Sequence, residues 1–139
     1  MNRRDARVLV IDSEPASRLA THHALRALDC RLVEEASTAA EALEVVRAST
    51  FALVLTEWTL PDATAVSLLR ALRAEPRMRL LPVVVCARIT RQLVSELADV
   101  GLSGFLPRPF SLDALDTTLS IFVGRRGPTS AAARADCAN

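Results

Sequence analysis

Short apolar runs alternate with helix-length stretches along most of the chain, and this alternation constrains the fold more than any other feature. Val8-Leu9-Val10-Ile11 is continuous and β-branched, as a strand buried on both faces would be. Pro15 suits the first turn of a helix, which is expected to run from Ala16 to about Leu28. Arg31 to Ala36 mixes apolar and acidic residues like a strand near a sheet edge. Ser37 or Thr38 can cap the next helix, which carries Ala42, Leu43, Val45 and Val46. The run Phe51 to Leu55 continues into Thr56 and Glu57, so a carboxylate lands where a buried strand ends. A helix with Val66, Leu68, Leu69 and Leu72 follows, then the strand Pro82 to Cys86 and a helix around Leu93 to Ala98. The brief strand Gly104 to Leu106 and a helix from Ser111 to about Val123 complete the set. In that last helix Leu112, Leu115, Leu119 and Phe122 are spaced as a core-facing stripe.

Five strand–helix units predict an α/β domain, a doubly wound five-stranded parallel sheet with helices on both faces. Right-handed crossovers leave few other topologies. With 139 residues the chain makes one domain, expected over 6–123 after a short N-terminal arm at 1–5. The tail 124–139 is small, polar and interrupted by Gly127-Pro128, and is expected to be disordered. Only 4% of residues are aromatic, so Leu, Val and Ala must fill the core.

Charge and cysteine usage narrow the function. A formal net charge of +1 and the lack of a helix-turn-helix after residue 123 argue against nucleic-acid binding. All 17 basic residues are Arg, which removes lysine chemistry. Cys30, Cys86 and Cys137 lack metal-type spacing and read as reduced thiols. The longest apolar stretch, Leu80 to Ala87, contains a proline and is too short to span a bilayer. The N-terminal residues resemble no signal peptide, and a cytoplasmic protein is expected.

In an open parallel sheet the chemistry gathers where loops diverge at the strand carboxyl ends. Four such loops bring Asp12-Ser13-Glu14, Glu57-Trp58, Cys86-Ala87-Arg88 and Pro107-Arg108-Pro109-Phe110 toward one pocket. Its carboxylates could hold a hard divalent cation such as Mg²⁺, with Asp12 and Glu57 as the ligands. Equally, the Arg108 guanidinium could fork onto Glu57 and neutralise it.

At this point the chain resembles the receiver domain of two-component response regulators, over about residues 6–123. Val8 to Pro15 followed by Arg18 resembles the family's first strand and acidic turn. Leu53 to Pro61 resembles its phosphoacceptor strand, and Gly101 to Phe110 its last strand and Lys-Pro turn. The resemblance implies the flavodoxin-like (βα)5 fold. It also implies a chemistry in which an aspartate takes a phosphoryl group from a kinase histidine. Mg²⁺ on a neighbouring acidic pair assists, and a Ser/Thr hydroxyl and a Lys grip the product.

The chain departs from that pattern at four positions. Asp12 matches, but its neighbour is Ser13. The acceptor position holds Glu57, the hydroxyl position Ala87 (or Cys86 with a one-residue shift), and the lysine position Arg108, followed by a matching Pro109. Phe105 stands at the family's switch aromatic. Glu is longer than Asp by about one carbon–carbon bond, ~1.5 Å, and misplacement on that scale can cost roughly 10²-fold in rate. Ser13 weakens any Mg²⁺ site, with Glu14 a partial substitute.

These changes lead to the expectation of a stand-alone, degenerate pseudo-receiver rather than an enzyme. It would act by phosphorylation-independent protein–protein contact, with Glu57, paired to Arg108, standing in for a phosphorylated aspartate. The alternative is a residual phosphorelay receiver that takes a phosphoryl group on Glu57, Thr56 or Thr59. No cofactor is expected beyond weak Mg²⁺. The implied partners are a histidine kinase, a phosphotransfer protein or an effector. The family's kinase-docking face is the first helix near Arg18, and a homodimer would form through the last two helices and the strand between them, about Thr90 to Asp99, Gly104 to Leu106 and Ser111 to Val123. No nucleic acid or membrane is implied. His22 and His23 point about 100° apart on a helix and read as surface residues, and Arg70, Arg73, Arg77 and Arg79 read as a solvated face and loop. Cys86 reads as a buried small hydrophobe, and Trp58 as either a partner anchor or a loop residue capping the pocket.

Overall fold

The computed structural model describes residues 2–88 and 100–125. Five parallel strands, β1 (Arg7–Ile11), β2 (Leu32–Ala36), β3 (Leu53–Glu57), β4 (Val83–Ala87) and β5 (Gly104–Pro107), pair in the order β2-β1-β3-β4-β5. The described helices are α1 (Pro15–Ala27), α2 (Ala39–Ala48), α3 (Ala65–Ala74) and α4 (Leu112–Phe122). This is the expected doubly wound, flavodoxin-like sheet. The expected helix around Leu93 to Ala98 and the tail beyond Arg125 lie outside the described residues.

Side-chain alternation builds two cores, one on each face of the sheet. Leu9, Ile11 and Val54 face α2 and α3, where Ala42, Val46, Leu68, Leu69 and Leu72 close over them. Val8, Val10, Leu53 and Leu55 face the other way, against Leu25 of α1 and Leu115 and Leu119 of α4. The central strands β1, β3 and β4 are therefore buried on both sides and mostly apolar, with Arg7 opening β1 and Thr56 and Glu57 closing β3. Edge strand β2 is only partly buried and carries Glu34 and Glu35.

Local chemistry sets the helix starts. Thr38 caps α2 by accepting from the Glu41 N–H, and Ser111 caps α4 by accepting from the Ala114 N–H. Thr64 and Ser67 form a reciprocal capping box at α3. The stripe expected on α4 is only partly core: Leu115 and Leu119 are fully buried and Phe122 half-buried, but Leu112 is 53% exposed. Leu112 is the first helical residue after the Ser111 cap, and the core begins a turn further along.

The N-terminal residues form a 3-10 turn, Arg3–Asp5, that buries Arg3 completely. Its guanidinium donates to the Leu28 carbonyl (3.0 Å), the Asp116 carboxylate (2.6 Å), the Ser120 hydroxyl (3.1 Å) and the Gly124 carbonyl (3.0 Å). It thus ties the end of α1 to α4.

Because β1 connects outward to β2 and β3 returns on its other side, the winding reverses between β1 and β3. The loops after those two strands diverge there and open a crevice. Asp12 and Glu57 stand on either side of it.

Candidate functional site

Asp12 follows β1 directly and is fully buried. Its Oδ1 accepts from the Glu14 N–H at 2.9 Å, and its Oδ2 lies 3.3 Å from the Arg108 guanidinium. Glu57, the last residue of β3, is half-buried. Its Oε1 accepts both the Ser13 N–H (2.9 Å) and the Ser13 hydroxyl (2.6 Å). The longer glutamate reaches across the crevice to the β1 turn.

Arg108 leaves the end of β5 and turns toward α1. One terminal nitrogen donates to the Ser17 hydroxyl at 2.7 Å and the other faces Asp12. The expected Glu57–Arg108 ion pair is therefore not formed; Arg108 pairs with Asp12 instead. The physical reason is competition: Asp12 is the more deeply buried acid, and Ser17 offers a second acceptor on the same side. The Arg108 Nε is buried without a hydrogen-bond partner. The Arg108–Pro109 peptide is cis, and Pro109 itself is exposed.

Ala87, the last residue of β4, supplies no hydroxyl to this pocket. It packs with Trp58 and Phe105 in a small cluster around Ala65 and Val85. Trp58 is thus a half-buried loop residue beside the site. Cys86 is buried between the strands, and burial pushes its thiol up to about 12, with the nearby Arg108 pulling the other way. It is an uncharged filler at neutral pH. Thr56 is buried with its hydroxyl donating to the Glu57 carbonyl (3.1 Å), whereas Thr59 is exposed.

Several partners were not legible in the chain. Ser17 is one, an ordinary helix residue until Arg108 reaches it. Arg18 donates to the Asp12 carbonyl (2.8 Å) and to Glu35 (2.9 Å), whose other oxygen lies 2.8 Å from His22 Nδ1. His22 is thus tied into a network rather than free on the surface, while His23 is exposed. Arg73, expected to be solvated, donates to the carbonyls of Gly101 and Met78. Asp62 clips the loop after β3 to α2 by accepting from the Ala39 and Ala40 N–H groups, 2.9 and 3.0 Å. Those two bonds hold its carboxyl below the ordinary range. An acid preceded far upstream by a helix N-terminus is a weak signal for such a clip.

The model of the response regulator receiver domain matches residues 8–120. The chain belongs to the response regulator receiver family. It is similar to the chemotaxis protein CheY of Pseudomonas aeruginosa, 32% identical over 110 residues that cover 78% of this chain and 89% of the relative. It is also similar to the chemotaxis protein CheY-3 of Vibrio cholerae, 27% identical over 117 residues that cover 84% and 90%. Among solved structures, the chemotaxis response regulator CheY4 of Vibrio cholerae matches with a TM-score of 0.77 at 25% identity, covering 84% of this chain and 97% of that one. The protein is a receiver domain of two-component signalling. No described helix of this receiver is long and apolar enough to cross a membrane.

The family implies a Mg²⁺ ion, and the residues present do not fit one. Mg²⁺ keeps several of its waters and is held through one or two carboxylates, so the engagement of those carboxylates decides the fit. Asp12 is engaged by Glu14 N–H and Arg108, and Ser13 donates to Glu57 rather than offering a charge. The Glu14 carboxylate, a partial substitute on sequence grounds, instead caps α1 by accepting from Ala16 N–H and Ser17 N–H. Among the described residues no group of three or more His, Cys, Asp or Glu side chains could hold a metal.

Proposed function

We propose that this receiver signals by protein–protein contact without being phosphorylated, with Glu57 as a permanent carboxylate at the family's acceptor position. The observation that carries this reading is the division of the pocket into two separate hydrogen-bonded groups. Glu57 is held by both donors of Ser13, and Arg108 by Asp12 and Ser17. Phosphoryl transfer is positioning plus charge stabilisation, with acceptor, cation and gripping groups converging on one phosphorus. Here the basic residue faces away from the acceptor, and Ala87 has no hydroxyl to offer.

Two surfaces suit partners. The first is a cleft of about 540 Å³ beside α1, lined by Ser17, Ala20, Thr21, Ala24, Arg88 and Arg108, cationic at one end and built of small residues along the helix. It fits the docking face that the family presents to a histidine kinase or phosphotransfer protein. The second is α4, which exposes Leu112 and Ile121 (53% and 69%) and would serve an effector or a homodimer. Of the rest of that second surface, Gly104 to Leu106 belongs to β5, whereas about Thr90 to Asp99 lies outside the described residues. A cytoplasmic setting accords with this role.

The test is incubation with Mg²⁺ and a small acyl phosphate donor, followed by intact-mass measurement. No added phosphoryl mass is expected. A labile phosphoryl adduct that disappears in Glu57→Ala overturns the proposal, and so does an adduct mapped to Thr59.

A further inference from the structure

Asp12 is a buried carboxylate, and a buried charge persists only where another group compensates it. In the receiver pattern a divalent cation does this. In this chain one acid of the metal pair is a serine, the neighbouring Glu14 is turned onto a helix terminus, and Glu57 is bound by Ser13. The positive charge beside Asp12 comes from Arg108. Arg18 also approaches Asp12, but only at its backbone carbonyl, and its charge is matched by Glu35.

We infer that Arg108 is the resident cation of this pocket: its guanidinium takes the place of the divalent ion on Asp12 and makes the receiver's conformation indifferent to Mg²⁺. One terminal nitrogen faces Asp12 Oδ2 while the other is anchored on Ser17 Oγ. The guanidinium is thus held at both terminal nitrogens, while its Nε is buried without a hydrogen-bond partner. A divalent ion approaching Asp12 meets like charge within a few ångströms, at a pair that is only partly open to solvent. A guanidinium also differs from a diffusible ion in being present at constant stoichiometry. The β1–α1 turn and the β5–α4 loop are therefore joined regardless of the ionic medium.

The inference deepens the proposed function and rests on the same pocket, yet the two fail separately. A phosphoryl adduct in a protein that ignores Mg²⁺ removes only the signalling proposal. Saturable Mg²⁺ binding in a protein that takes no phosphoryl group removes only this inference.

Trp58, the single tryptophan, directly follows Glu57 and reports on the pocket. Its fluorescence is titrated with MgCl₂ and MnCl₂ at constant ionic strength, and thermal unfolding is measured in MgCl₂ and in EDTA. Four proteins are compared: the native chain, Ser13→Asp, Arg108→Gln, and the double variant. The native chain and Ser13→Asp, which both keep Arg108, are expected to show no saturable response through the millimolar range. The double variant, with the second acid restored and the guanidinium removed, is expected to bind Mg²⁺ saturably and to melt higher in Mg²⁺ than in EDTA. Arg108→Gln alone is expected to respond more than the native chain. Saturable quenching of the native chain overturns the inference. So does a Ser13→Asp response equal to that of the double variant, or a double variant as silent as the native chain. If Arg108→Gln does not fold by circular dichroism, Arg108→Met in the Ser13→Asp background, which likewise removes the charge, takes its place under the same criteria.

Discussion

Glu57 is held at the residue scale by one neighbour. Its extra methylene carries the carboxylate onto Ser13, which supplies a backbone and a side-chain donor to the same oxygen. The hydroxyl bond is exposed, so its net worth is small. Ser13→Ala is expected to cost about 0.5–1 kcal/mol in urea unfolding, because the backbone N–H still binds Glu57. Glu57→Gln in the same assay is expected to cost no more, since its amide oxygen can accept from both donors. A loss well beyond that range in either variant would mean that the pair carries more of the pocket than hydrogen bonding alone. Each of these residues was legible in the chain as a member of the pocket, because strand ends converge at the point where the winding reverses. Their pairing was not. Which carboxylate an arginine meets depends on depth of burial and on acceptors from another element, here Ser17 of α1, and spacing along the sequence encodes neither.

Among the elements, α2 and the loop after β3 are joined by Asp62, whose carboxylate accepts the first free N–H groups of the helix. These bonds favour the ionised form and hold the folded-state pKa below its ordinary value of 3.8. A depressed carboxyl contributes stability that is fully present above the unfolded-state pKa and is lost as pH falls through the folded one. Asp62→Asn is therefore expected to melt lower than the native protein at neutral pH, with the gap closing as pH is lowered below about 4. Thermal melts of both proteins across that range measure it, and a gap independent of pH would remove the charge from the account. The elements themselves were largely readable: Thr38 and Ser111 announce helix starts, and Pro15 occupies the first turn of α1. Arg3 was hidden for the opposite reason. A basic residue in a polar N-terminal stretch reads as a solvated arm, and only the meeting of the α1 end with α4 supplies the acceptors that let it be buried. Leu112 was misjudged because helical period locates a stripe but not where along the axis the core begins.

For the whole molecule, the continuous apolar runs of β1, β3 and β4 already implied a sheet covered on both faces, and hence two separate cores. Crossover handedness left few topologies, and the structure shows which of them the strand order takes. The two cores share the sheet but not their side chains, so damage to one should be felt little by the other. Ile11 lies in the core beneath α2 and α3, and Leu115 in the core beneath α1 and α4, each 1% exposed or less. Ile11→Val removes one methylene and is expected to cost about 1 kcal/mol. Leu115→Ala opens a larger cavity and is expected to cost about 3 kcal/mol. If the sheet is a rigid partition, the double variant loses about 4 kcal/mol in urea, the sum within roughly 0.5 kcal/mol, with an unchanged denaturant slope. A double-variant loss more than about 1 kcal/mol away from that sum would instead show strain passing through the sheet. In that case a charge fixed at the strand ends by Arg108 and Asp12 would be felt on both helical layers. Additivity instead confines its influence to the pocket and to the loops that the pocket joins.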